Sequence, residues 1–125
     1  MESISEQDIS YLIALTASEE SKLIEIQWEF EKWDCDKVFV LTLLKKLIVD
    51  GTILLSKTVS DKLNDLDKEQ SLVVCATWES LQRNDLILFF TKSGNERWET
   101  DDWGITTKRA KHLMFSNQNS GASNA

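Results

Sequence analysis

One histidine, two cysteines and four separated glycines set a narrow limit on the chemistry open to this chain. Nucleophilic catalysis of the Ser-His-Asp or Cys-His kind needs an imidazole base, and His112 alone can supply it. It stands beside Lys111 and near Arg109 in a basic stretch, where a surface position is the simpler reading. Cys35 and Cys75, far apart in sequence and with a single histidine, match no zinc-ligand spacing. Gly51, Gly94, Gly104 and Gly121 stand singly, so there is neither a Gly-x-Gly-x-x-Gly turn nor a phosphate-binding loop. Carboxylate pairs such as Glu19-Glu20 and Asp101-Asp102 read as solvated charges, and no pair is set apart for acid–base work. The expectation is a chain that is not an enzyme and carries neither cofactor nor metal.

Binding chemistry is better represented. Five tryptophans occur in 125 residues. Trp98 and Trp103 bracket Glu99-Thr100-Asp101-Asp102, and an aromatic ring flanked by carboxylates suits an interface with a cationic partner. Equally, both rings can cover the edge of the core, and the sequence leaves these two readings open. Glu20, Glu25, Glu29 and Glu31 form an acidic helix face relieved by Lys22 and Lys32. Each acid alone reads as a solvated surface charge. Together they make a field that steers a basic protein into contact. The candidate partner-binding residues are therefore Glu25, Glu29, Trp98, Glu99, Asp101, Asp102 and Trp103. The formal net charge of −7 is uneven: residues 1–51 carry 11 acids and 5 bases, residues 52–125 carry 10 and 9. Such a first half repels phosphate backbones and attracts basic surfaces, so nucleic acid is disfavoured as a partner.

The elements that must position these residues follow from periodicity. Ser3 to Glu6 has capping-box spacing, with Ser5 to Asp8 as a weaker form, ahead of a helix bearing Ile9, Leu12 and Ile13 and ending near Thr16. A second helix is expected from about Glu19 to Trp33, with Leu23, Ile26, Phe30 and Trp33 as its stripe. Ile24 and Trp28 widen that stripe, so Trp28 and Trp33 are expected in the core. A third helix covers Lys37–Asp50, opened by Asp34 or Asp36 and closed by Gly51, with Val40, Leu41, Leu44, Leu47 and Ile48 buried. Thr52–Ser56 follows as a strand. Residues 57–70 read as polar connection, and 71–81 as either a short helix or a strand. Asp85–Thr91 is a firmer strand, Asn95–Glu99 a helical turn, and Ile105–Phe115 a last helix. The organisation expected is one domain over residues 1–115 with a disordered polar tail over 116–125.

Neither a secretory leader nor a membrane-length apolar run is visible, so the expected location is the cytoplasm, where both cysteines remain thiols. No membrane association is expected.

Three helices, a strand entered through a glycine and a later strand resemble the winged helix-turn-helix. The segment Leu43-Leu44-Lys45-Lys46-Leu47-Ile48-Val49-Asp50-Gly51-Thr52-Ile53 is similar to a recognition helix passing into the first wing strand. Leu88-Phe89-Phe90-Thr91-Lys92-Ser93-Gly94 resembles a strand ending in Thr-x-x-Gly ahead of a helix. There the threonine can cap that helix, and the glycine allows close backbone approach. The resemblance covers about residues 5–100 and implies an α+β, winged-helix-like fold. That fold has three N-terminal helices followed by a small antiparallel sheet and a C-terminal helical segment. In kind, the chain is similar to bacterial toxin-immunity proteins, including the contact-dependent growth inhibition type. That resemblance implies an acidic protein that neutralises a basic, nuclease-type toxin domain by occluding its active site. The alternative it leaves open is a winged-helix transcriptional regulator that binds DNA. The sequence gives no sign of the oligomeric state.

Overall fold

The computed structural model describes residues 2–100 and 103–119. Its architecture is α+β, with helices before and after a three-stranded antiparallel sheet.

The first helix, α1 (Glu6–Ser18), is opened by Ser5, whose side chain accepts the Asp8 N–H while the Asp8 carboxylate accepts the Ser5 N–H. The capping box is thus the Ser5–Asp8 pair and not Ser3–Glu6, because Ser3 is extended and bridges to Asp34. Ile9, Leu12 and Ile13 are buried as expected.

Helix α2 (Ile24–Phe30) is shorter than the expected span. Glu20 adopts a positive φ of 51°. Residues 21–23 then leave the helical path to pair with a strand formed much later in the chain: Leu23 N–H donates to Leu86 O at 2.8 Å, and Leu88 N–H donates to Ser21 O at 3.0 Å. These hydrogen bonds replace the helical ones that local propensity favours. Leu23, Ile26, Phe30 and Trp33 are buried as expected, but Trp28 is 57% exposed. At about 100° per residue, Trp28 lies roughly 200° from both Ile26 and Phe30, on the opposite side of the helix.

Helix α3 (Lys37–Val49) matches expectation at both ends. Asp36 Oδ1 accepts the Val38 N–H at 2.9 Å, and Gly51 at φ +81° turns the chain out of the helix. Its five expected core residues are buried, together with Leu43.

Strand β1 (Ile53–Val59) runs three residues past Ser56 because it forms a hairpin with β2 (Lys62–Asp65), a strand in the segment expected as connection. Ser60 and Asp61 at the turn both have positive φ, 51° and 64°, the geometry of a two-residue type I′ loop. The ambiguous segment resolves as helix α4 (Lys68–Val74), capped reciprocally by Asp67 and Gln70, followed by one 3-10 turn at Glu79–Leu81. Strand β3 (Leu86–Phe90) pairs with the other side of β1, with Ser56 opposite Ile87 and Leu55 opposite Leu88.

Thr91 and Gly94 behave as their spacing suggested. Thr91 Oγ1 accepts the Gly94 N–H at 3.0 Å at the start of helix α5 (Lys92–Thr100), while its hydroxyl donates to Gly51 O. A Cβ on Gly94 would fall 1.9 Å from the Thr52 carbonyl oxygen. Helix α5 extends the expected helical turn at both ends. Helix α6 (Thr107–Asn119) begins two residues after Ile105 and continues past Ser116, where the polar tail was expected to begin. Residues 120–125 of that segment lie outside the described residues.

One hydrophobic cluster joins α1, α2, α3, β1 and β3 with Cys75, Leu81 and Leu113. Both cysteines are free, Cys75 buried and Cys35 half-buried. Helix α6 is clasped to the amino-terminal segment by charge. Arg109 forks onto Asp8, with Nη2 2.7 Å and Nε 3.2 Å from the carboxylate, and also reaches Glu2 at 3.3 Å. His112 Nε2 lies 2.8 Å from Glu2 Oε1.

Candidate functional site

The early end of α2 shapes the surface around it. Where the chain peels away at residues 19–23, a groove of about 170 Å³ opens between α1 and α2, lined by Leu15, Glu19, Glu25, Trp28, Glu29 and Lys32. Three carboxylates and one ammonium surround the exposed indole. Two of the acids are held in place. Glu25 Oε2 accepts the Lys22 N–H at 2.9 Å, and Glu29 Oε2 accepts the Trp33 indole N–H at 3.1 Å. A carboxylate fixed by such a bond is ordered before a partner arrives, which lowers the entropy lost on binding.

Of the expected interface residues, Glu25 and Glu29 lie in this groove. Trp98 and Trp103 lie elsewhere, in an aromatic cluster at the junction of α1, β3 and α5. Trp98 stacks on Tyr11 (centroids 5.7 Å, planes 27° apart) and also meets Phe90 and Trp103 at 5.7 and 6.0 Å. The Arg97 guanidinium sits 4.4 Å over the Trp103 ring, a cation–π contact. Both tryptophans are half-buried. They close the edge of the core and also line an open depression of about 380 Å³ with Tyr11 and Ile105. Glu99 is exposed on α5, and Asp101 and Asp102 lie outside the described residues.

Trp28 and Glu19 are the residues that sequence reasoning did not select. The signal for Trp28 was available, since its angular position opposite Ile26 and Phe30 follows from the helical period alone.

The cysteines and the histidine have structural surroundings. Burial pushes the Cys75 thiol up to about 12, so it stays protonated at neutral pH and is a poor nucleophile. His112 is engaged with Glu2. Among the described residues no group of three or more histidine, cysteine, aspartate or glutamate side chains is placed to hold a metal ion, and no helix is long and apolar enough to cross a membrane.

Searches of known protein families, curated proteins and solved structures find no match to this chain.

Proposed function

We propose that the protein is a winged-helix-like inhibitor of the toxin-immunity kind, which binds a basic, nuclease-type toxin domain and occludes its active site. The observation that carries this reading is the Trp28 groove. Trp28 is 57% exposed on a helix that buries Ile26 and Phe30, and Glu19, Glu25 and Glu29 stand around it. An aromatic anchor within a carboxylate rim suits a lysine- or arginine-rich surface. The ring offers buried area and a π-face, and the acids supply direction and rapid encounter. The winged-helix comparison draws support from the path of α3 through Gly51 into β1, and from the β1–β2 hairpin in the position of a wing.

The DNA-binding reading fits less well. The outward face of α3 offers Lys45 and Lys46 for base edges or phosphates among Val38, Phe39, Thr42 and Val49, but α2, which would cross the DNA backbone, carries Glu25 and Glu29.

The test is affinity capture from native host lysate with the wild-type protein and with Trp28→Ala as paired baits. The reading expects one basic protein at about one-to-one ratio with wild type, released by salt and depleted from the Trp28→Ala bait. The purified partner should lose its activity when the wild-type protein is added. Recovery of a specific DNA fragment without a protein partner would overturn the proposal and favour a regulator.

A further inference from the structure

Helix α3 carries a second unpartnered face, independent of the Trp28 groove and opposite to it in charge. Val38 is 70% exposed, Val49 is 55% exposed, and Phe39 also reaches solvent, so three of the large apolar side chains left in water belong to this one helix. With Thr42 and Lys46 they follow helical spacing down its outer side. Between α3 and the turn after α4 lies a groove of about 520 Å³, lined by Lys37, Val38, Leu41, Thr42, Lys45 and Trp78 among others.

The charges along this helix are mostly basic. Between Asp36 and Asp50 helix α3 carries three lysines and no acid. Lys37 is anchored: its Nζ donates to Phe30 O at 2.7 Å and sits 5.6 Å over the Trp78 ring. Lys45 and Lys46 form no ion pair among the described residues. Glu79 is the single acid lining the groove. In a chain of net charge −7, this is a local positive surface laid over apolar side chains.

The geometry points to a docking face for an acidic amphipathic helix of a partner protein, seated along α3 with its apolar stripe on Val38, Leu41 and Trp78 and its carboxylates on Lys45 and Lys46. The helix-in-groove mode needs an apolar channel a few turns long with charged margins. Helix α3, at 13 residues, provides about 20 Å of it. Charge complementarity selects the occupant. A basic helix is repelled here and drawn to the α2 side, so the molecule offers two faces to partners of opposite sign.

Titration of the nitrogen-15-labelled protein tests this with three probes. The first is a synthetic amphipathic helix with leucines on one face flanked by glutamates, the second is the same peptide with lysine in place of glutamate, and the third is duplex DNA. The proposal expects the glutamate peptide to shift the amides of residues 37–49 and the Trp78 indole. Lys45→Glu combined with Lys46→Glu should weaken that binding about tenfold. Val38→Asp, at a position open to solvent, should weaken it without lowering the melting temperature. Equal binding of the two peptides at α3, or no shift there with the glutamate peptide, would overturn it. So would DNA shifting α3 where the glutamate peptide does not, and the face would then belong to nucleic acid.

Discussion

Replacing Asp8 by asparagine removes one charge from the contact that holds the two ends of the described chain together. The Asp8 side chain is 5% exposed and Arg109 is 31% exposed. The pair therefore lies between a solvated ion pair, worth at most about 1 kcal/mol, and a fully buried one, whose disruption costs roughly 3–5 kcal/mol. Asparagine can still accept the Ser5 N–H at the start of α1, so little of the capping contribution is lost. What disappears is the charge-assisted fork, and an arginine is left facing a neutral amide. We expect a loss of about 2–3 kcal/mol at neutral pH. For a chain of 125 residues this corresponds to a fall in melting temperature of about 8–12 °C.

The pH dependence separates charge from packing. Burial alone would raise the Asp8 carboxyl. The Arg109 fork and the Ser5 N–H outweigh that and hold it below its ordinary value. A carboxyl depressed in the folded state adds stability above its unfolded pKa of about 3.9, and that stability is lost as pH falls through the lower folded value. The stability gap between wild type and Asp8→Asn should therefore be full at pH 7 and close progressively below about pH 4. Urea unfolding of both proteins across this range measures it. A gap unchanged between neutral and acidic pH would refute the electrostatic account and leave only a packing defect.

Gly94→Ala should destabilise by about 3 kcal/mol or more, since its Cβ meets the Thr52 carbonyl oxygen and backbone must move. Gly51→Ala, with no atom within 4 Å but φ at +81°, should cost only about 1 kcal/mol, and thermal melts of the pair test that contrast. Trp28→Ala should leave stability within about 0.5 kcal/mol of wild type, because the ring is mostly in water; a larger loss in urea unfolding would make it a structural residue. A thiol-alkylating reagent should modify half-buried Cys35 first and reach Cys75 only at the rate of unfolding, as mass spectrometry over a time course would show.

The elements that could be read from sequence are those whose local and tertiary preferences agree. Helix α3 has a capping aspartate, a five-residue apolar stripe and a terminating glycine, and all three act as read. Thr91 and Gly94 likewise announced a cap and a close approach. Strand β2 was hidden because all four of its residues are exposed, so no burial pattern marks it, and its turn uses Ser60 and Asp61 in place of glycine. The start of α2 was obscured for a different reason. Residues 19–23 continue the helical pattern, but hydrogen bonds to β3 override it. At the candidate site, Glu25 and Glu29 were legible as charges on a helix face. Their relation to Trp28 was missed because that residue was assigned to the buried stripe despite lying across the helix from it.

The pairing of Lys22 with Ile87 also sets a timetable. When Leu23 leaves the ribosome, its partner on β3 has not been made, and at roughly 5–20 residues per second it follows several seconds later. The Asp8–Arg109 clasp waits longer still, since 101 residues separate its members. Helices α1 to α3 pack on one another, but thus emerge with apolar surface that the strands cover only later. Contacts of such long sequence separation make for slow folding, and in that interval the nascent chain exposes its greatest surface for misassociation. Synonymous codons that slow synthesis between α3 and β3 would lengthen this exposure, while leaving the finished protein chemically the same.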